Sequence, residues 1–310
     1  VFVVSWRNPT AAQSDWDMDT YVAALLAAMA AVRDITGAAT VNLHGACSGA
    51  MTVAALLGHL AAVRQPLVNA ATLMVAVLGA SADSQLGLFA TPQTIAAAKQ
   101  NSRLKGVLEG EEMGRVFTWM RPNDLIWNYW VNNYLMGNPP PAFDILYWNN
   151  DTTRLPAKFH AQLIDIFVDN RLQQPGALEI LGTPIDLSEV NCDKYVMAGI
   201  TDHITPWKGV FGTARAFGGK TDFILSSSGH IQSLINPPGN PKAKFFHNPD
   251  LPESPEDWLA AAGEKPGSWW EHWRDWLAAH SGEMRAAPPS LGNERYQPGA
   301  AAPGTYVSEP

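Results

Sequence analysis

Three polar side chains stand at positions that would suit nucleophilic catalysis. Cys47 lies in the hexapeptide GACSGA at residues 45–50, Asp202 follows an apolar run that ends near residue 198, and His230 follows another that ends at residue 225. A nucleophilic thiol needs a base beside it in space, and the base is commonly oriented by a third group. Cysteine, histidine and aspartate are the residue types that serve in these three roles.

The hexapeptide has the spacing of a nucleophile elbow, in which glycines flank the reactive residue on a sharp turn between a strand and a helix. The N-terminus of the following helix favours a thiolate. Each residue also has a plainer interpretation. A cysteine among alanines is more often packed in a core, an aspartate after a strand is more often a turn or helix cap, and a loop histidine is more often exposed.

The surrounding elements favour the catalytic interpretation. Residues 1–5 and 41–44 read as short strands, and apolar side chains at helical spacing predict a helix over residues 17–35 between them. Further strands are predicted over residues 72–78, 195–198 and 222–225, with a Trp-rich amphipathic helix over residues 268–279. This alternation indicates an α/β sheet covered by helices on both faces. The order nucleophile, acid, histidine at successive strand ends is that of the α/β-hydrolase fold.

Composition excludes several classes of function. The chain has 310 residues and 46% hydrophobic content, which is enough for one large domain with an insertion. Its net charge of −8 argues against a nucleic-acid partner. The two cysteines, Cys47 and Cys192, have no metal-ligand spacing, and no apolar run reaches the roughly 18 residues of a membrane span. We therefore expect a cytoplasmic protein with no bound metal or cofactor.

The aromatic and proline-rich region over residues 82–190 interrupts the strand pattern and predicts a largely helical cap. We place the core in residues 1–81 and 191–284, and an extended tail rich in Ala, Pro and Gly in residues 285–310. Core packing is the expected role of the cap tryptophans, so Trp127 and Trp148 are not predicted to be site residues.

Longer motifs resemble a known family, the polyhydroxyalkanoate synthases of the single-subunit type that act on short-chain substrates. Besides the elbow, the resemblance rests on strings spread along nearly the whole chain: VVSWRNP at 3–9, RPNDLIWNY at 121–129, WNNDTTRLP at 148–156, DHI at 202–204 with PW at 206–207, SGHI at 228–231, NPP at 236–238 and SWW at 268–270.

The resemblance implies an acyltransferase that polymerises (R)-3-hydroxyacyl-coenzyme A, commonly 3-hydroxybutyryl-CoA, into polyester and releases CoA. Cys47 would carry the acyl chain as a thioester, and His230 would take the thiol proton. Asp202 would orient His230 or help to activate the substrate hydroxyl, and the backbone N–H of Ser48 would be one oxyanion donor. CoA is the leaving group and no cofactor is implied. The implied partners are the growing polyester, the polyester granule surface and a second copy of the chain in a homodimer.

Two departures from the family pattern qualify these expectations. Ala50 stands where the family usually has a second glycine. Residues 41–44 and 1–5 correspond to the fifth and fourth hydrolase strands, and no counterpart of the third strand, whose loop normally supplies the other oxyanion N–H, precedes them. We therefore expect an N-terminally truncated catalytic domain that polymerises poorly alone. The alternatives are a thioesterase or polyester depolymerase on the same fold, and a non-catalytic granule-associated homologue.

Overall fold

The computed structural model describes residues 1–80, 87, 90–140, 142, 151–302, 304 and 305. The strands of the main sheet are Val41–Ala46 (β1), Val68–Met74 (β2), Asp193–Gly199 (β3), Thr221–Ser226 (β4), Lys244–His247 (β5) and Gly263–Pro266 (β6). The α-helices are Met18–Thr36 (α1), Ser48–Ala62 (α2), Pro92–Lys105 (α3), Gly110–Met120 (α4), Ala157–Val168 (α5), Trp207–Ala216 (α6), His230–Leu234 (α7), Pro255–Ala261 (α8) and Trp269–Ala279 (α9).

The main sheet keeps its six strands in sequence order, and its first four strands are parallel. The last two pair antiparallel, β4 with β5 and β5 with β6. Parallel strands joined by helices bring their carboxyl ends to one edge of the sheet. The loops that follow β1, β3 and β4 therefore open on the same side.

Helices cover both faces of the sheet, as the sequence predicted. Neighbouring residues of β4 show this, because successive side chains of a strand point to opposite faces. Phe223 packs edge to face on Phe211 of α6 and Trp258 of α8, with ring centroids 5.3 and 4.7 Å apart. Ile224 belongs instead to the buried cluster that includes Trp269 of α9.

Helix α9 is held on its face of the sheet by indole N–H groups as well as by apolar contact. Its side chains pack on Met74, Tyr195 and Met197, one from β2 and two from β3. Trp273 donates to the hydroxyl of Thr72 at 3.0 Å, and Trp276 donates to Asp222 at 2.8 Å. A buried indole N–H normally finds such a partner. The Trp-rich helix predicted over residues 268–279 is confirmed and connects three parallel strands.

The chain divides into two compact units: of the described residues, the first contains 1–5, 18–80, 87, 165–302, 304 and 305, and the second contains 6–17, 90–140, 142 and 151–164. The second unit contains α3, α4, most of α5 and two π-helical turns, Asn123–Trp127 and Trp130–Leu135. The described residues of the predicted cap are therefore mostly helical. Its predicted limits, 82–190, stay a prediction.

Within the second unit, two short antiparallel strands, Val107–Leu108 and Leu155–Pro156, join its two halves. Arg154 reinforces this junction, because its Nε donates to Glu109 at 2.9 Å.

The core packing expected of the cap tryptophans is wrong for three of them. Trp119, Trp127 and Trp130 are 58%, 51% and 49% exposed. Trp148 lies outside the described residues.

Residues 1–5 do not form the predicted buried strand, because they are irregular and exposed throughout. A strand needs a partner for its backbone N–H and C=O groups, and among the described residues the main sheet ends at β1, which pairs only with β2. The β-branched composition of this run therefore does not produce a strand by itself.

Strand β2 begins and ends four residues before the predicted 72–78. The residue that follows the strand, Val75, has a positive φ of 46°.

Strands β5 and β6 and helix α8 were not predicted, because they lie in a stretch rich in proline and glycine. Strand β6 has the sequence GEKP and is exposed, so it lacks any apolar alternation.

The described part of the tail from residue 285 forms neither helix nor strand, in agreement with the sequence. Among the described residues, no helix has the length and hydropathy that crossing a membrane requires.

Candidate active site

Cys47 occupies a sharp turn between β1 and α2, as the elbow motif predicts. Its backbone has φ 51° and ψ −124°, and it immediately precedes the first residue of α2. A non-glycine residue at positive φ is strained by about 1–3 kcal/mol and persists only where its surroundings enforce it. Here the Cys47 N–H donates to the carbonyl of Met74 on the neighbouring strand at 2.9 Å. The turn is therefore anchored to the neighbouring strand β2 by a backbone hydrogen bond.

The two glycines of the motif differ in the space around them. A methyl group on Gly45 would lie 2.8 Å from the Cα of Ala50 and 3.0 Å from its backbone nitrogen. Such contacts are too short for real Cβ atoms, so the close approach of strand and helix requires Gly45. A methyl group on Gly49 would meet nothing within 4 Å. A Cβ is therefore excluded at Gly45 but not at Gly49, and the methyl of Ala50 is fully buried.

Asp202 lies in the loop between β3 and α6, where its side chain is fully buried. One carboxylate oxygen accepts the backbone N–H groups of Ile204 and Thr205, both at 2.9 Å. The other accepts the Thr205 hydroxyl and the Nδ1–H of His230, both at 2.7 Å. Burial would raise the pKa of Asp202, but the hydrogen bond and charge of His230 and the bonds from Thr205 hold that pKa below its ordinary value.

His230 is the first residue of α7, directly after the loop that leaves β4. Its side chain is 9% exposed, contacts Asp202 through Nδ1 and lies close enough to Cys47 for that residue to contribute to the pKa of the imidazole. Burial would lower the pKa of His230, but hydrogen bonding and charge from Asp202 and Cys47 outweigh it and raise that pKa to about 9. Since Asp202 occupies Nδ1, the nitrogen left for Cys47 is Nε2.

The structure thus brings the three predicted side chains together at the carboxyl edge of the sheet. Cys47 is half-buried and also packs against the apolar cluster beneath α9. Ser48 opens α2, so its backbone N–H has no acceptor within that helix. This arrangement has the elements needed for acyl transfer: a thiol, an imidazole beside it, a carboxylate that fixes the imidazole, and an adjacent N–H donor. Within the described ranges, no group of three or more His, Cys, Asp or Glu side chains could hold a metal ion.

Three residues of this region were not recognised from the sequence. Thr205 contacts both Asp202 and His230 through its side chain. Trp269 and Trp270 donate their indole N–H groups to the carbonyls of Ser233 and Leu234 on α7, at 2.7 and 3.0 Å. For Thr205 the only sequence signal is the spacing Asp-x-x-Thr, which is ordinary turn chemistry. For the tryptophans, helical spacing predicts burial but not the helix they contact.

A family model described as the alpha/beta hydrolase fold matches residues 1–237. The chain belongs to the α/β-hydrolase family. The fold class predicted from the order of Cys47, Asp202 and His230 is therefore confirmed, and so are the mostly parallel sheet and its covering helices. The family contains many chemistries, so membership alone does not select a reaction.

This α/β-hydrolase chain is 57% identical over 308 residues to "Poly(3-hydroxyalkanoate) polymerase 1" of Ectopseudomonas oleovorans, and 53% identical to "Poly(3-hydroxyalkanoate) polymerase 2" of that organism. Each alignment covers 99% of this chain and 55% of the relative. The chain is 39% identical to "Poly(3-hydroxyalkanoate) polymerase subunit PhaC" of Cupriavidus necator, over 99% of this chain and 53% of the relative. The resemblance to polyhydroxyalkanoate synthases is thus confirmed, and the chain spans about half the length of the curated relatives it matches.

Proposed function

We propose that this chain carries the catalytic centre of a polyhydroxyalkanoate synthase, which joins (R)-3-hydroxyacyl groups from CoA thioesters into a polyester. The observation that carries the proposal is the contact of Cys47 with His230 and of His230 with Asp202, in a chain 57% identical to a poly(3-hydroxyalkanoate) polymerase. For the substrate we propose 3-hydroxybutyryl-CoA, which the motif resemblance implies.

In the first half-reaction, the Cys47 sulfur attacks the thioester carbonyl and His230 holds the thiol proton. The C–S bond to CoA breaks, the proton passes to the CoA sulfur, and the acyl group stays on Cys47 as a new thioester. The Ser48 N–H stabilises the tetrahedral oxyanion, a type of contact worth about 2.7–4 kcal/mol where it has been measured. A thioester-to-thioester exchange of this kind is nearly balanced in energy, so the acyl group remains reactive.

In the second half-reaction, the 3-hydroxyl of another acyl unit attacks the Cys47 thioester. His230 accepts the hydroxyl proton, an oxygen ester forms, and the Cys47 thiolate is released and paired again with the imidazolium. The raised pKa of His230, about 9, favours this ion pair between turnovers. Asp202 keeps Nδ1 protonated and so presents Nε2 to the sulfur.

The test is a single-turnover experiment with the 310-residue chain and 3-hydroxybutyryl-CoA. Release of free CoA is followed with a thiol reagent, and the acyl adduct is located by peptide mass spectrometry. We expect one CoA released per chain with the adduct on Cys47, no release by Cys47→Ala, and unchanged release by Cys192→Ala, the matched control at the other cysteine. Equal release by Cys47→Ala and the parent would overturn the nucleophile assignment. Free hydroxy acid without any ester dimer would instead indicate a hydrolase.

We also propose that the chain acts as a homodimer at the surface of cytoplasmic polyester granules, as the resemblance implies. The exposed aromatic side chains of the second unit, including Trp119, Trp127, Trp130 and Tyr134, are consistent with association through that unit. Sedimentation of the chain alone, and again with isolated polyester granules, tests both parts. A monomer that stays in the supernatant would refute them.

A further inference from the structure

The Asp202 carboxylate is saturated with hydrogen bonds, and Thr205 supplies two of them. Its backbone N–H donates to Oδ1 at 2.9 Å, and its hydroxyl donates to Oδ2 at 2.7 Å. Asp202 lies in an irregular loop between β3 and α6, so no regular element fixes its side chain. The direction of this carboxylate towards His230 therefore depends on the residues that bond it.

The Thr205 hydroxyl also faces the imidazole ring. Its oxygen lies 3.2 Å from Nδ1 of His230, while Nδ1 lies 2.7 Å from Oδ2 of Asp202. A hydroxyl has one proton, and donating it to Asp202 turns an oxygen lone pair towards the ring. The Nδ1–H is therefore shared between two acceptors. Thr205 is itself only 8% exposed, so water does not readily replace either contact.

We propose that Thr205 is a positioning residue, whose hydroxyl aligns the Asp202 carboxylate with His230 and fixes the ring so that Nε2 meets Cys47. It does not touch the reacting atoms. This inference rests on the proposed function in one respect, the assignment of Cys47, His230 and Asp202 as an acting triad. It predicts that the effect of the Thr205 hydroxyl disappears when Asp202 has no carboxylate.

The experiment measures the rate at which iodoacetamide alkylates Cys47, followed by peptide mass spectrometry, because this rate reports the thiolate held by His230. Hydrogen bonds to charged groups have energies that correspond to about a tenfold change in rate. We therefore expect Thr205→Val to slow alkylation about tenfold and Thr205→Ser, which keeps the hydroxyl, to stay near the parent rate. Thr205→Ala substitutes for the valine variant if that variant does not fold.

The matched control is Thr213→Val, which removes a fully buried hydroxyl. Among the described residues this hydroxyl contacts backbone groups: it donates to the carbonyls of Ala76 at 2.8 Å and Gly209 at 3.3 Å, and it accepts the N–H of Leu78. We expect it to leave the alkylation rate of Cys47 unchanged, although it removes equivalent hydrogen bonds elsewhere in the core. A similar loss in both valine variants would indicate general destabilisation and overturn the proposal.

A double-mutant cycle with Asp202→Ala supplies the decisive readout. If Thr205 acts through Asp202, Thr205→Val has no further effect in the Asp202→Ala background. The same tenfold loss in both backgrounds, or a parent rate for Thr205→Val, overturns the proposal. Alkylation does not require an acyl-CoA substrate, so failure to release CoA would refute the proposed function while leaving the cycle interpretable.

Discussion

Replacing Gly45 by alanine should damage the site through backbone contact alone, whereas replacing Gly49 should not. The added methyl at position 45 would lie 2.8–3.0 Å from three backbone atoms, the Cα and nitrogen of Ala50 and the carbonyl oxygen of Gly49. Ordinary contact between such atoms is about 3.5–4.0 Å. Strand β1 and helix α2 must therefore separate by roughly 0.5–1 Å at the turn that carries Cys47.

Forcing extra methylenes into packed regions costs about 1–3 kcal/mol, and rigid backbone on the opposing side favours the upper part of that range. A change of 1 kcal/mol shifts the melting temperature of a domain of this size class by roughly 2–4 °C. Gly45→Ala should then melt roughly 4–12 °C below the parent. Gly49 lies in the first turn of α2 with open space around its Cα. Gly49→Ala should therefore be neutral, or more stable by up to about 1 kcal/mol from helix propensity.

Melting followed by far-UV circular dichroism measures the stability of both variants, and iodoacetamide alkylation of Cys47 measures the geometry of the turn. We expect Gly45→Ala to lose both stability and alkylation rate, with Gly49→Ala near the parent in both. Parent-like behaviour of Gly45→Ala, or equal losses in the two variants, would show that the strand-to-helix approach does not depend on a missing Cβ.

Two further predictions concern the pH dependence and the packing of the site. Because the pKa of His230 is raised from about 6.5 to about 9, its contribution to stability is complete below pH ~6.5 and is lost as pH rises through about 9. Urea titrations should therefore show the stability difference between the parent and His230→Gln shrinking over that interval by at most about 3 kcal/mol; a constant difference would contradict the shift. Trp269→Ala should cost about 3–5 kcal/mol, because the side chain is fully buried and donates to the carbonyl of Ser233. Replacing Trp119, which is 58% exposed, by alanine should lower the free energy of unfolding by less than about 1 kcal/mol. Equal losses of stability in the two tryptophan variants would contradict this prediction.

The sequence was sufficient to predict the parallel part of the fold and the sheet edge at which Cys47, Asp202 and His230 lie. Strands β1 to β4 have enough apolar residues to be recognised singly, and a parallel α/β sheet brings the loops after them together whatever the details of packing. Cys47, Asp202 and His230 therefore needed only strand assignment and chain order. No side-chain geometry was required to bring them to one edge.

The errors occur where structure depends on a partner that local pattern does not reveal. Residues 1–5 have strand composition but no paired neighbour in the described sheet, whereas β6 has the unpromising sequence GEKP and pairs with β5. Strand propensity mostly reflects packing against neighbours, so it fails in both directions at sheet edges. Trp127 was likewise assigned to a core from its residue type, yet it is 51% exposed.

Two interpretations treated as alternatives in the sequence are both present in the structure. Asp202 accepts the backbone N–H groups of Ile204 and Thr205, which is the role of a turn-capping aspartate. Its second oxygen contacts His230, as the proposed role of Asp202 in a catalytic triad requires. The cap fixes the carboxylate and leaves its other oxygen for the imidazole. Cys47 also combines two features, since it packs against the cluster under α9 and contributes to the raised pKa of His230.

The position of His230 depends in turn on α9. Helix α7 has only five residues, His230–Leu234, and so short a helix is not stable without tertiary contacts. Its terminal carbonyls have no N–H donors within the helix, and two of them accept the indole N–H groups of Trp269 and Trp270. Since α9 is itself fixed to β2 and β4 through Trp273 and Trp276, the tryptophans connect His230 to the sheet that carries Cys47. A helix that the sequence predicts only as Trp-rich and amphipathic thereby helps to determine where the imidazole lies relative to Cys47.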